Sequence, residues 1–336
     1  MAINSYSNAA SGNPTNVHAI VKLLEAHDAV EVLDKIVKTI PVPANKNETI
    51  NLQRAVTPAV NLNEVSEGVN PPSRALTYEN VTKTLEEFAE VFAVTSRQAE
   101  LGEYDVLMHS KDRLLDLVKR TREQNAWLEY VAGNQVIYNS SAHTLRTQVN
   151  GAITIGRLRV IARVLHANRA MLMTEMSNGS TMVGTTPVEP AFAVLSHTDT
   201  RNDIRALPGF ITAAQIGGSR PKLPNLFGMV DEFAFITSPE FVPFLAGGAA
   251  VGATGMKSVG GVSIDVYPFL VLAKEAVGKL NLSSYGAITA TVLDKADKSD
   301  PTNQRRLVSC RWWDGPIRLD EGWMYRLECG VTDNPA

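Results

Sequence analysis

The stretch nearest to a known chemistry is GATGMKS over residues 252–258. A phosphate loop wraps its anion in backbone N–H groups between widely spaced glycines and sets a lysine directly after the second of them. Here only two residues separate Gly252 from Gly255, and Met256 stands before Lys257. The pattern fails, and the surrounding GGAAVGATGMKSVGG reads as a loop. His197, Asp199 and Asp203 are metal-ligand types, but a held ion needs several convergent donors and a supporting shell, and their spacing matches no such site. They read as a strand-end histidine, a helix cap at Asp199, and a solvated helix face carrying Asp203 and Arg205. Neither G-x-S-x-G nor H-E-x-x-H occurs, and Cys310 and Cys329 belong to no nucleophile or CxxC pattern.

Arg157, Arg159, Arg163, His166 and Arg169 recur along one predicted helix and are the best nucleic-acid candidates. A sequence-reading surface shows broader basic charge with polar readers between, so these read as a solvated face or as ion-pair partners between subunits. Trp312, Trp313 and Trp323 have the faces to stack bases, but beside Leu307, Val308 and Leu327 they read as packing residues. The expectation is a chain with no catalytic residue, no metal ligand and no cofactor.

Composition narrows the classes further. The chain has 336 residues, 44% hydrophobic and 20% charged, with a formal net charge of −3. That is ordinary globular composition, and the length favours two lobes or one lobe with long excursions. Phosphate neutralisation supplies most nucleic-acid affinity, and no basic excess exists to supply it, so the protein is expected to sit beside DNA without binding it specifically. The polar start MAINSYSNAASGNPTN has no apolar run like a signal peptide, and no apolar stretch is long enough for a membrane span. The cysteines fit a reducing compartment.

The elements follow from periodicity. Residues 1–16 read as a flexible arm and 17–37 as one kinked or two short helices, ended by TIPVP. Residues 49–56 and 75–85 alternate as strands around a polar segment with Gly68, Pro71 and Pro72, which predicts a long hairpin with an elaborate tip. The longest helix is predicted over 104–138, with Leu107, Leu114, Leu117, Val118, Leu128 and Val131 on one face. A second helix is predicted over 154–169, with Thr154 as cap and Leu158, Ile161, Ala162 and Leu165 inward. A short helix is predicted over 199–207. Strands are predicted at 88–94, 191–195, 229–236, 269–272, 287–293, 307–313 and 323–329. Segments 1–38 and 45–84 carry few apolar residues, so both are expected to find partners on neighbouring molecules.

The stretches IPVPANK, EGVNPPSRAL at 67–76 continuing to Val81, HTDTRNDIRALPGF at 197–210, VYPFLVLAKEAVG at 266–278, and 303–328 with Gln304-Arg305 and the closing GWMYRLE follow one another in that order. Together they resemble the major capsid proteins of N4-like tailed phages, which have the HK97-like fold. Their shared order covers nearly the whole chain. The resemblance implies an α+β fold with 1–40 as N-terminal arm and helix and 41–84 as an E-loop hairpin over the adjacent subunit. It implies a peripheral domain over 85–190 with a spine helix at about 104–138, an axial domain over 191–286, and C-terminal strands over 287–336 returning to the peripheral domain. It further implies self-assembly through pentamers and hexamers into an icosahedral shell that encloses double-stranded DNA, in a virion assembled in the bacterial cytoplasm. Glu67, Gly68, Pro71, Pro72, Arg74 and Tyr78 are the expected inter-subunit contacts. The short polar start leaves no room for a large scaffolding segment, so a separate scaffolding protein is expected, with a portal and possible use of a decoration or cement protein. No membrane partner is expected. Readings of other kinds are an encapsulin-like nanocompartment shell, a minor virion protein, or an enzyme with an unrecognised site. The glycine-rich loop 247–261 is expected to adapt between pentamer and hexamer.

Overall fold

The computed structural model describes residues 31–43, 49–60, 67–70, 73–96, 106–177, 185–216, 223–252, 254–282, 288–293, 295, 300–302 and 304–333. In chain order the elements are α1 (Leu33–Ile36), β1 (Lys38–Val42), β2 (Thr49–Ala55), β3 (Tyr78–Thr84), β4 (Glu86–Thr95), α2 (Val106–Val131) and β5 (Val136–Tyr138). Then come α3 (Ile155–Ala167), β6 (Met173–Ser177), β7 (Thr185–His197), α4 (Arg201–Arg205), β8 (Ile211–Thr212), β9 (Leu226–Val230) and β10 (Phe233–Ser238). The last part holds β11 (Tyr267–Leu272), β12 (Val277–Leu282), β13 (Thr289–Leu293), β14 (Arg305–Asp314), β15 (Pro316–Arg318) and β16 (Met324–Cys329). This is the expected α+β composition.

The largest sheet runs β5-β16-β11-β7-β10-β9-β8, with β6 also on β7. It is mixed: β10 lies parallel to β7 and β5 parallel to β16, while β11 is antiparallel to both its neighbours. Both faces are covered, which is why the strands read as continuous apolar runs such as AFAVL and YPFLVL. Ala193, Leu195, Ala234, Ile236, Leu270 and Leu272 face α2 and residues 32–37. The intervening Phe192, Val194, Phe233, Phe235, Phe269 and Val271 face α3, whose Leu158, Ile161, Ala162 and Leu165 are buried as expected. Thr154 occupies the cap position of α3, but its side chain makes no capping hydrogen bond.

The long helix is shorter than the predicted 104–138. Among the described residues it spans Val106–Val131, about 39 Å at ~1.5 Å per residue. Ala132-Gly133-Asn134 turns the chain into β5, and Gly133 lies where a Cβ would come within 3.0 Å of Met324. Its buried face also differs. Leu114 and Val118 pack on Val308, Cys310 and Trp312 of the antiparallel sheet β13-β14-β4, while Ala126, Trp127, Tyr130 and Val131 pack on the large sheet. Leu117 and Leu128, expected inside, are exposed, Leu128 to 62%. The helix thus serves two sheets in turn. No helix among the described residues is long and apolar enough to cross a membrane.

Residues 31–42 depart from the sequence reading. They belong to their own chain's core: Val32, Leu33, Val37 and Val42 are buried, and β1 pairs in parallel with β12, which pairs in turn with β15. Pro41 is tolerated because β1 is an edge strand. Residues 41 and 42 thus belong to β1, the described hairpin strand β2 spans Thr49–Ala55, and the part of the expected 17–37 helix that is described is the single turn α1. The predicted strand 229–236 is two strands, β9 and β10, joined by a tight turn in which Asp231 has φ +49°.

In β9, Gly228 is held against Phe210. A Cβ there would come within 2.4 Å of the Phe210 ring and 2.5 Å of the Ile211 carbonyl. Gly228→Ala is expected to cost about 1–3 kcal/mol by overpacking. Urea denaturation measures it, and an unchanged midpoint would show that β8 yields freely.

Candidate functional site

The hairpin β2–β3 has a root and an arm. At the root, Ile50, Leu52 and Val81 pack on Val42, Leu85, Leu280 and Ile317 of the same chain. Lys83 bonds Glu129 of α2 at 2.9 Å. Arg54 reaches Glu79 across the hairpin at 2.6 Å and also pairs with Asp320. Beyond Ala55–Tyr78, among the described residues, only Val56–Thr77 continues the backbone pairing, and the arm projects. Val56, Val60, Val69, Leu76 and Tyr78 are all exposed, Val60 to 77%. Glu67 and Gly68 form an exposed turn in which Gly68 takes φ +81°, a conformation that favours glycine. Arg74 donates to the Ala59 carbonyl at 3.0 Å and ties the two sides of the arm. Pro71 and Pro72 lie outside the described residues. A cavity of about 490 Å³ opens beneath the arm, lined by residues 54–60, Glu79, residues 167–169, Asp320 and Trp323.

A second surface, partly exposed among the described residues, lies on β13-β14-β4, opposite the face buried on α2. The register places Leu293, Leu307 and Ala93 in one row, and Thr291, Ser309 and Val91 in the next. Val91 and Leu293 are each just over half exposed. One face of this small sheet is thus packed and the other, partly apolar, is open.

Residues with chemical potential are otherwise engaged. The His197 Nδ1 accepts the Asp199 N–H at 3.1 Å, so the histidine caps the turn and Asp199 does not. The helix expected over 199–207 is a 3-10 turn followed by α4. The Asp199 carboxylate accepts from Lys257 Nζ at 2.6 Å and Tyr267 Oη at 2.9 Å. Burial pushes this carboxyl up, but those two hydrogen bonds outweigh it and hold it below the usual carboxylate range. Burial likewise lowers His197 and favours its neutral form. Asp203 accepts the Thr332 N–H at 3.0 Å. Along α3, Arg157 donates to the Tyr138 carbonyl, Arg159 pairs with Asp231 at 2.9 Å, and His166 meets Glu232 at 2.7 Å. Each of these three has a partner within its own chain. Trp312 stacks on Phe88, and Trp323 donates to the Asn168 carbonyl.

The glycine-rich loop is more firmly held than its composition suggests. Gly248 and Ile264 exchange backbone bonds through Ala249, and Lys257 N–H reaches the Val331 carbonyl at 2.7 Å. Fully buried Asp265 accepts from Ala246 N–H at 2.7 Å and Val259 N–H at 2.8 Å. The side chains of Val259 and Val262, at the loop's tip, are exposed although their backbone is tied down as well, the Val262 carbonyl accepting the Val251 N–H at 3.1 Å.

No family model matches the chain, and no curated protein matches it in sequence. Solved structures do match in fold over its whole length. The capsid of Ralstonia phage GP4 superposes with a TM-score of 0.70 at 12% identity, covering 99% of this chain and 100% of that one. The head structure of Helicobacter pylori bacteriophage KHP40 gives 0.63 at 12% identity, with 98% of each chain covered. The capsid of cyanophage Pam1 gives 0.60 at 13%, covering 92% and 95%. The chain has the HK97-type fold that these phage shells share.

Proposed function

We propose that the chain is the major shell subunit of a tailed-phage capsid, a structural protein that assembles through pentamers and hexamers around double-stranded DNA. The observation that carries this reading is the arm: a hairpin docked at its root whose described side chains beyond that root, Val56, Val60, Val69, Leu76 and Tyr78 among them, stand exposed. Burying an exposed Val or Leu contributes about 1.5–3 kcal/mol, so a few such contacts per subunit, multiplied over a closed shell, suffice for assembly. Glu67, Gly68, Arg74 and Tyr78, together with Pro71 and Pro72, are the proposed contacts of the arm with a neighbour. The open face of β13-β14-β4 is the kind of surface such an arm fits. In this reading residues 85–190 form the peripheral domain and 191–286 the axial one, and the tip at Val259–Val262 meets copies around an axis. The ties through Asp265 and Lys257 favour a loop that keeps its shape in pentamer and hexamer alike.

Placement among the N4-like phages rests on stretches such as 197–210. A scaffolding protein, a portal and a cement protein belong to the same proposal, as does assembly in the host cytoplasm. Pairing of Arg157, Arg159 and His166 within the chain supports a shell that confines DNA without specific binding.

Negative-stain electron microscopy of the expressed chain, alone and with its candidate scaffold, tests the reading. Closed shells or capsomer rings are expected. A protein that stays monomeric under every assembly condition would reject it. Shells filled with protein cargo and free of nucleic acid would favour an encapsulin-like compartment, which shares the fold.

A further inference from the structure

Where residues 31–37 cross α2, one carboxyl receives two amides of the crossing. Glu123, mid-helix and buried, accepts the Val32 and Leu33 N–H groups with Oε1, each at 3.2 Å, and Leu33 again with Oε2 at 3.3 Å. These amides open α1 and have no partner within it. Because one oxygen serves both, the bonds survive protonation of the other.

The charges around it do not balance. On the segment itself stand Glu31 and Asp34; from α2 come Arg122, and Lys119 at the rim; from β12 comes Lys279; and from β14 comes Asp314. Arg122 bonds Glu31 and Asp34 at 3.0 Å each, and Lys279 bonds Asp34 at 2.6 Å. Asp314 is almost fully buried, and its Oδ1 has no hydrogen-bond partner, only Lys279 at 3.8 Å. Four carboxyls thus share two close cations. An extra buried negative charge is costly there, and releasing residues 31–37 exposes Glu123 to water.

We propose that Glu123 is a proton-operated latch: protonated, it seats residues 31–37 on α2, and on ionisation it lets them go. Burial, then Asp34, oppose the charge, against the backbone hydrogen bonds that favour it, and the carboxyl is pushed up to about 8. The folded value lies above the free one, so the stabilisation is complete below the free value of 4.5 and is lost as pH rises through about 8. Glu31, also raised by burial, acts in the same direction. Asp34 is held low by Lys279 and Arg122 against burial, so it matters only in acid, outside this window. The Tyr130 phenol, bonded to the Gly278 carbonyl, stays neutral throughout because burial pushes it well up.

The latch does not rest on the shell reading, since it concerns a contact within one chain. Hydrogen–deuterium exchange on the full chain tests it. Corrected for intrinsic rates, protection of the Val32 and Leu33 amides is expected to fall about 30-fold between roughly pH 6.5 and 9.5, the ratio for a group titrating near 8. Glu123→Gln, or Glu123→Met if the first does not fold, should keep the protection and lose its pH dependence. A flat wild-type profile overturns the proposal, as does an unchanged pH dependence in either variant.

Discussion

A subunit in which residues 57–76 are replaced by Asn-Gly is expected to melt with the wild type and to build no closed shell. Val56 donates to the Thr77 carbonyl, so a two-residue loop closes the hairpin in register at that pair, and Asn-Gly supplies the left-handed conformations such a turn needs. The excised side chains that are described, Val60, Val69 and Leu76 among them, are exposed and add nothing to the core. The root contacts of Ile50, Leu52 and Val81 and the pairs of Arg54 and Lys83 all remain. A shorter loop costs slightly less to close. Assembly is another matter. With the arm gone, each subunit loses the proposed contact with its neighbour, and because a shell closes only when every contact repeats, the loss is expected to be complete. Sedimentation and electron microscopy read the outcome. Normal shells from this variant would remove the arm from assembly altogether.

The largest effect on stability is expected at Glu328. Its carboxylate is fully buried on β16 and accepts from Arg146 Nε at 2.9 Å and Nη2 at 2.8 Å, with Arg326 Nε 2.8 Å away. Arg146 also lies 3.5 Å over the Phe244 ring, and Arg326 reaches the Val131 and Gly133 carbonyls. One carboxylate therefore joins the end of α2, the 146 turn and the 244 segment. Glu328→Ala leaves two guanidiniums without their counterion, one of them mostly buried, and is expected to cost about 3–5 kcal/mol. That is a large part of the roughly 5–15 kcal/mol that holds a domain folded. Arg159→Ala is the control: its pair with Asp231 is exposed, and such pairs contribute about 0–1 kcal/mol. Equal urea midpoints for the two variants would show that the Glu328 cluster is dispensable.

Much of this architecture is legible in the residues, and the failures have physical causes. Strands buried on both faces announce themselves, as at 191–195 and 269–272, and α3 shows its inward leucines and isoleucine in the 3.6-residue period. The strand β12 does not, because VGKLNL holds a lysine that hydropathy assigns to solvent; Lys279 is buried because Asp34 and Asp314 meet it. The long helix misled because it changes partners midway, so no single stripe continues along it, and Leu128 falls on the open side. Residues 31–42 misled for a related reason. Their attachment relies on Glu123, Arg122 and a parallel pairing with β12, none of which is local in sequence. The hairpin's scarcity of apolar residues is legible at 49–84, but its root settles on its own chain because Ile50, Leu52 and Val81 meet Val42, Leu85, Leu280 and Ile317, which lie far off in sequence.

The position of β16 has a consequence for synthesis. Residues 324–329 form an interior strand, flanked by β5 and β11. While the ribosome has yet to deliver them, the β11 edge has no neighbour, and Phe269 and Val271 lack the cover of Tyr325 and Leu327. The nascent chain thus leaves this edge of the sheet unfinished until residues 324–329 have been made, and unpaired edges of this kind are what chaperones guard against aggregation.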